Sequence, residues 1–164
     1  MSKPHYSHAE EQPLLRGLSV IQPWATALVH GPKDVENRSW GRHVPRGGLW
    51  LAIHASKTQP DPESWAAVEE LWPEAPRAGV LALGVVLGVV RIDWICKHDR
   101  VPYGFRSPWA NPHMTMWWHV AERYALPVPR LARGKEGLWE VPEHIHGELR
   151  ELVITRRRAA RGEA

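Results

Sequence analysis

The sequence predicts an α+β fold, a small mixed β-barrel with helices packed around it. Three observations carry that expectation. Strand candidates outnumber helix candidates, the strands are short and separated by Gly and Pro, and no βαβ rhythm with a phosphate-binding glycine motif is present. With 164 residues and 43% hydrophobic content, the chain fits one globular domain that buries its own core. The expected organisation is a disordered arm over 1–15, a folded domain over 16–142, and an amphipathic helix with a basic tail over 143–164.

Taken in order, the arm is polar, with His5, His8, Glu10 and Glu11, and shows no periodicity. Leu18-Ser19-Val20-Ile21 reads as a short strand. Pro23 suits the first turn of a helix with Trp24 and Leu28 on one face, which Gly31 ends. Val35 to Trp40 alternates as a strand does. Gly47-Gly48 then opens the strand Leu49 to His54, with Leu49, Leu51 and Ile53 on one face and Trp50 and His54 on the other. Asp61-Pro62 starts a helix with an apolar stripe at Trp65, Val68 and Leu71, stopped by Pro73 and Pro76.

Val80 to Ile95 is rich in β-branched residues with Gly84 and Gly88 inside, which predicts one long bent strand or two short ones. Residues 97–114 read as a long functional loop. Met116 to Tyr124 and Gly137 to Val141 are the last strand candidates. Ile145, Leu149, Leu152 and Val153 mark the C-terminal helix, with fraying expected past Thr155.

Cys96 is the single cysteine, which excludes an intramolecular disulfide and an all-cysteine metal cage. The longest apolar stretch, Val80 to Val90, is too short to span a membrane, and residues 1–12 carry no signal-peptide core. A cytoplasmic location and no membrane partner are expected. The net charge is +3. Its excess gathers in Arg130, Arg133, Lys135, Arg150, Arg156, Arg157, Arg158 and Arg161, a distribution that suits a polyanionic partner, although a solvated face is the commoner explanation of such a charge run.

The stretch Gly31-Pro32-Lys33-Asp34-Val35-Glu36-Asn37-Arg38 is the centre of the functional reading. Strand alternation sends Glu36 and Arg38 to one face, and Lys33 stands at the mouth of the preceding turn. Lys33 offers a compact cation for phosphate or, once desolvated, a base or nucleophile. Arg38 offers a planar fork, with Glu36 as the partner that orients it. The alternative is an exposed Glu36–Arg38 pair contributing under about 1 kcal/mol.

Tryptophan usage adds a second signal, ten Trp against three Tyr and one Phe, because aromatic faces bind unstacked bases. Trp24, Trp40 and Trp109 are the stacking candidates, whereas Trp65, Trp72, Trp94 and Trp139 fit packing positions. His54, opposite Leu51 and Ile53, is a candidate cleft histidine with Ser56 beyond it. Ser107 lacks a hydrolase elbow, so a role for it rests on closeness to Lys33. The ten histidines match no standard ligand spacing; neither metal nor cofactor is expected.

These residues carry a family resemblance. Leu18 to Ala25, the Gly-x-Lys-x-x-Glu-x-Arg motif of Gly31 to Arg38, Arg46-Gly47, Ile53-His54-Ala55-Ser56, Ser107-Pro108-Trp109-Ala110 and Gly134 to Trp139 together resemble an ASCH domain of the PUA-like superfamily over roughly residues 16–142. The resemblance implies a β-barrel with a cleft beside the charged motif and a role in binding RNA or single nucleotides and nucleosides, with DNA also open. In the binding reading Lys33, Arg38 and Arg46 meet phosphate while Trp24, Trp40 or Trp109 stacks a base. Two activities within the family are implied as alternatives. One is metal-independent RNA cleavage, with Lys33 stabilising the phosphorane and Ser107, Glu36 or His54 moving protons. The other is amide hydrolysis of an N4-acylated cytosine nucleoside, a branch that carries a threonine nucleophile where this chain has Glu36. A protein-interaction module using the Arg-rich C-terminal helix is a further reading.

Overall fold

The computed structural model describes residues 15–163. In chain order the elements are β1 (Leu15–Val20), α1 (Trp24–Val29), β2 (Val35–Arg38), β3 (Leu49–Ala55), α2 (Pro62–Leu71), β4 (Val85–Lys97), β5 (Met116–Leu131), β6 (Leu138–Trp139) and α3 (Glu143–Ala160). Short 3-10 turns lie at Ala78–Val80 and His98–Arg100. The strands form one sheet in the order β2-β5-β4-β3-β1-β6. Only β1 and β3 run parallel; the other pairs are antiparallel.

Alternation along β3 builds a core on each side of the sheet. Leu49, Leu51 and Ile53 join Leu18 and Trp118 under Leu28 of α1, while Trp50 and Ala52 join Val86 and Trp139 under Ile145, Leu149 and Val153 of α3. All seven β3 residues are buried because helices cover both faces of this central strand. Burying each of the large side chains contributes about 1.5–3 kcal/mol. At α2, the expected cap is in place: Asp61 accepts from the Ser64 backbone N–H at 2.8 Å, which contributes about 1 kcal/mol.

The long pair β4–β5 bends through register shifts between Val86 and Gly88, Arg91 and Ile92, and Ile92 and Trp94. Gly88 is required at the first of these, since a Cβ there would run into the Tyr124 carbonyl. The sheet curls into a half-barrel and does not close, because β2 and β6 stand as its two edges. Strand β5 runs on to Leu131 rather than stopping at Tyr124. Pro127 and Pro129 do not prevent this, because they fall between the Ala125–Gly88 and Arg130–Val86 pairs, where the ladder is interrupted and no N–H is needed.

Helix α3 continues to Ala160 instead of fraying past Thr155. Arg157 holds its last turns to the sheet, with Nε 3.6 Å from Glu122 and the guanidinium 5.7 Å over the Trp50 ring. The expected N-terminal arm lies outside the described residues except for Leu15, which is buried as the first residue of β1. No described helix is long and apolar enough to cross a membrane.

Candidate functional site

The site is built outward from α1, whose six residues are too few to hold a helix unaided. Both ends are pinned by side chains. At the start, the buried Gln22 Oε1 accepts from the Thr26 N–H at 3.0 Å and its hydroxyl at 2.9 Å. At the end, Arg123 Nη1 donates to the carbonyls of Leu28, at 3.0 Å, and of Gly31, which neutralises the partial negative charge there. The turn that follows is tied back by the Lys33 N–H to Ala27 O at 3.1 Å, so the Lys33 side chain starts from a fixed point.

Strand β2 then places Val35 in a small core with Ala27, Val68 and Trp109 and turns Glu36 and Arg38 to one side. Lys33 Nζ lies 3.2 Å from Glu36 Oε2 and also donates to the Val35 carbonyl. Arg38 Nε stands 2.9 Å from Glu36 Oε1. That contact is ionic and off the N–H direction, so the buried Nε–H has no hydrogen-bond acceptor. Arg38 Nη2 donates to Ser19 O at 3.1 Å, and Nη1 has no partner among the described residues. Glu36 therefore stands between two cations. Lys33 is 2% exposed and Glu36 7%; burial pushes the Lys33 ammonium below its ordinary value, against the opposing pull of Glu36.

Opposite β2, residues 107–114 form a roof. Asn37 Nδ2 donates to Trp109 O at 2.9 Å, and its Oδ1 accepts from the Asn111 N–H at 2.8 Å. Ser107 Oγ donates to Asp34 Oδ1, and Trp117 Nε1 donates to Asn111 O at 2.8 Å. Between the roof, β2 and the end of β1 lies a cavity of about 650 Å³. Ser19, Val20, Ile21, Trp24, Lys33, Glu36, Asn37, Arg38, Leu71, Trp109 and Met114 are among its walls. The Trp24 and Trp109 rings meet edge to face at 6.4 Å, and Lys33 Nζ lies 5.7 Å from the Trp24 centroid. An apolar, aromatic space with a cation at its wall can take a planar ring and an attached anion together.

Five of the residues singled out in the sequence thus meet at one cavity: Trp24, Lys33, Glu36, Arg38 and Trp109. Four others stand elsewhere. His54, 3% exposed, faces away from the cleft, with Nδ1 3.2 Å from Ser19 Oγ and Nε2 2.9 Å from Ala132 O. The carbonyl can only accept, so Nε2 carries the proton and Nδ1 accepts from Ser19; both nitrogens are satisfied in the neutral ring, and burial lowers its pKa. Ser107 does not line the cavity, and its hydroxyl is committed to Asp34 and to the Trp109 N–H at 3.1 Å. Trp40 packs edge-on to Trp118 at 4.8 Å. Arg46 is exposed in the loop before β3, outside the cavity wall.

Asn37, Asp34, Ser19 and Leu71 are parts of the site that the sequence reading passed over. Asn37 did carry a signal, an Asn inside a strand where its type is depleted, next to two charges. Among the described residues no group of three or more His, Cys, Asp or Glu could hold a metal ion.

The ASCH domain family model matches residues 18–122. A 44-residue stretch, 26% of this chain, is 57% identical to Activating signal cointegrator 1 of Homo sapiens and 50% identical to that of Mus musculus. It spans 7% of the length of each of these relatives. A solved ASCH protein of Zymomonas mobilis, in a serine-to-alanine variant, aligns with a TM-score of 0.49 and 12% identity over 86% of this chain and 97% of that one.

Proposed function

Because the chain belongs to the ASCH domain family of the PUA-like superfamily, we propose that its cleft binds a nucleotide unit of RNA, with a base against Trp24 or Trp109 and a phosphate at Arg38 and Lys33. The observation that carries this reading is the convergence of two tryptophans and a Lys–Glu–Arg array on one cavity of about 650 Å³. The array holds two cations against one carboxylate, and Arg38 keeps donors without protein acceptors. Stacking contributes about 1–3 kcal/mol per base, and the guanidinium fork meets phosphate oxygens in pairs.

The test is equilibrium titration of a short single-stranded RNA and of nucleoside 5′-monophosphates, followed by tryptophan fluorescence. Lys33→Ala and Arg38→Ala weaken binding in this reading, and the salt dependence of RNA binding becomes shallower. Unchanged affinity in both variants would rule the cleft out.

RNA cleavage is the second reading, favoured by one observation. Lys33, its pKa lowered by burial, stands 3.2 Å from the Glu36 carboxylate at the cavity wall, which sets a proton donor where the phosphate is proposed to bind. Of the three proton carriers considered from sequence, only Glu36 borders the cavity; Ser107 and His54 are committed to other partners. Cleavage of RNA in EDTA that disappears in Lys33→Ala supports this reading, and intact RNA after prolonged incubation with the purified protein removes it. Amide hydrolysis through the hydroxyl used in the related branch has no counterpart here, since Glu36 supplies a carboxylate at that position.

A further inference from the structure

Trp109 lines the cleft from a stretch that has neither helix nor strand, so other side chains must hold it in place. Asn37 fixes the backbone at Trp109 and Asn111. Two further ties come from β5. Trp117 Nε1 donates to Asn111 O at 2.8 Å. His119, two residues on and on the same face of the strand, meets the ring of Phe105 edge-on with centroids 5.4 Å apart. Phe105 is the half-buried residue of a turn whose Tyr103, Gly104 and Arg106 are exposed, and its ring also stands edge-on to Trp94 at 4.9 Å. Trp109 thus sits between the ties at 105 and 111, and Phe105 packs against the small cluster that holds the Trp109 ring.

An irregularity in the sheet makes the socket that receives Phe105. Ile92 pairs with Val120 and Trp94 with His119, so Asp93 is an extra residue on β4 with no partner on β5. Such a bulge re-aims the side chains beside it. Here the Trp94 and His119 rings lie parallel, 7° apart in plane and 5.0 Å between centroids, and Asp93 Oδ1 comes to 2.6 Å from His119 Nδ1. A carboxylate oxygen only accepts, so Nδ1 carries a proton, and the imidazole is oriented by Asp93 as well as by Trp94. His119 is also the cross-strand partner of Val35, which packs in the Trp109 cluster. Asp93, Trp94, Phe105 and His119 all lie outside the cavity wall.

We propose that His119, oriented by Asp93 and stacked on Trp94, is a positioning residue for ligand binding: through Phe105 it fixes the Trp109 ring as a preformed wall of the cleft. The inference rests on the cleft reading above and adds to it a set of residues that never touch the ligand. A wall held before the ligand arrives spares the complex the ordering of that side chain, an effect of about fivefold in affinity.

The experiment labels the full chain with 5-fluorotryptophan and follows the fluorine resonances of Trp24, Trp109 and Trp50, each assigned by its Phe variant, during titration with adenosine 5′-monophosphate. Phe105→Ala and His119→Ala are expected to shift or broaden the Trp109 resonance in the free protein and to weaken nucleotide binding about fivefold. Trp50, buried in the core beneath α3, stays unmoved. His119→Phe keeps a ring against Trp94 and Phe105 and recovers most of both readouts. Asp93→Ala, at an exposed side chain, moves them in the same direction by about twofold.

An unchanged Trp109 resonance in Phe105→Ala and His119→Ala overturns the inference, as does a shifted resonance with wild-type affinity, movement of Trp50 together with Trp109, or a His119→Phe protein no better than His119→Ala. Should the Ala variants in the socket fail to fold, Asp93→Ala decides, and wild-type resonance and affinity there overturn it. If the nucleotide moves neither Trp24 nor Trp109 in the wild-type protein, the cleft reading fails and the positioning role with it. If it moves Trp109 while every variant binds as wild type does, the cleft stands and the positioning role does not.

Discussion

Lys33 Nζ and Glu36 Oε2 stand 3.2 Å apart with 2% and 9% of their side chains exposed, so each replaces for the other much of the water that folding removes. Glu36 serves a second cation as well, Arg38 Nε at 2.9 Å. Removing the carboxylate strands two positive charges, one of them deeply buried. Glu36→Ala is therefore expected to cost about 3 kcal/mol of stability, measured as a shift in the urea midpoint with an unchanged m-value. Lys33→Met should cost less, because Glu36 keeps Arg38 and the cost of burying an ammonium disappears. A Glu36→Ala protein as stable as wild type would show that the pair is solvated.

Burial holds the Lys33 ammonium below its ordinary value of 10.5. In the window between the lowered folded value and 10.5 the unfolded chain binds more protons, so this residue's contribution makes stability rise with pH there. Anion affinity runs the other way, since losing the Lys33 proton removes a cation from the cleft. Denaturant and ligand titrations across alkaline pH should show both slopes in wild type and neither in Lys33→Met. Identical profiles for the two proteins would mean that Lys33 does not titrate in this range.

His54 predicts a separate acid effect. Its neutral ring is satisfied on both nitrogens, and burial keeps its pKa below 6.5. As pH falls through 6.5 the unfolded chain takes up the proton first. Stability then falls, by at most about 1.4 kcal/mol per pH unit, until the folded value is reached. His54→Gln should reduce that acid slope while leaving nucleotide affinity unchanged at neutral pH. A loss of affinity in His54→Gln with the fold intact would return the residue to the site.

Asn37 holds the roof by two hydrogen bonds, to Trp109 O and from the Asn111 N–H. Asn37→Ala should cost about 1–2 kcal/mol, accelerate amide exchange across residues 109–114 and weaken ligand binding. Unchanged exchange in that segment would show that the Asp34–Ser107 contact alone holds it.

The charged stretch was legible because its logic is local. Alternation puts Glu36 and Arg38 on one side, and the glycine-ended turn puts Lys33 beside them, so three residues within six positions describe half the site. The other half depends on pairing across some seventy residues, Asn37 with Trp109 and Asn111 and Asp34 with Ser107, which no periodicity records. His54 illustrates the same limit. Alternation correctly sent it to the face opposite Ile53, but only the folded chain shows that this face is closed by Trp139, Ala132 and Gly134. The open sheet and the length of β5 likewise followed from long-range pairing, with Pro127 and Pro129 accommodated in an interrupted ladder that local reading takes for a strand end.

The central claim is that the cavity under residues 107–114 is where a nucleotide sits, and a crystal structure of the protein with a nucleoside 5′-monophosphate tests it most directly. The expected density places the base against the Trp24 or Trp109 ring, with a phosphate oxygen about 3 Å from Arg38 Nη1. Density for the nucleotide elsewhere on the surface, with the cavity holding only water, would contradict it.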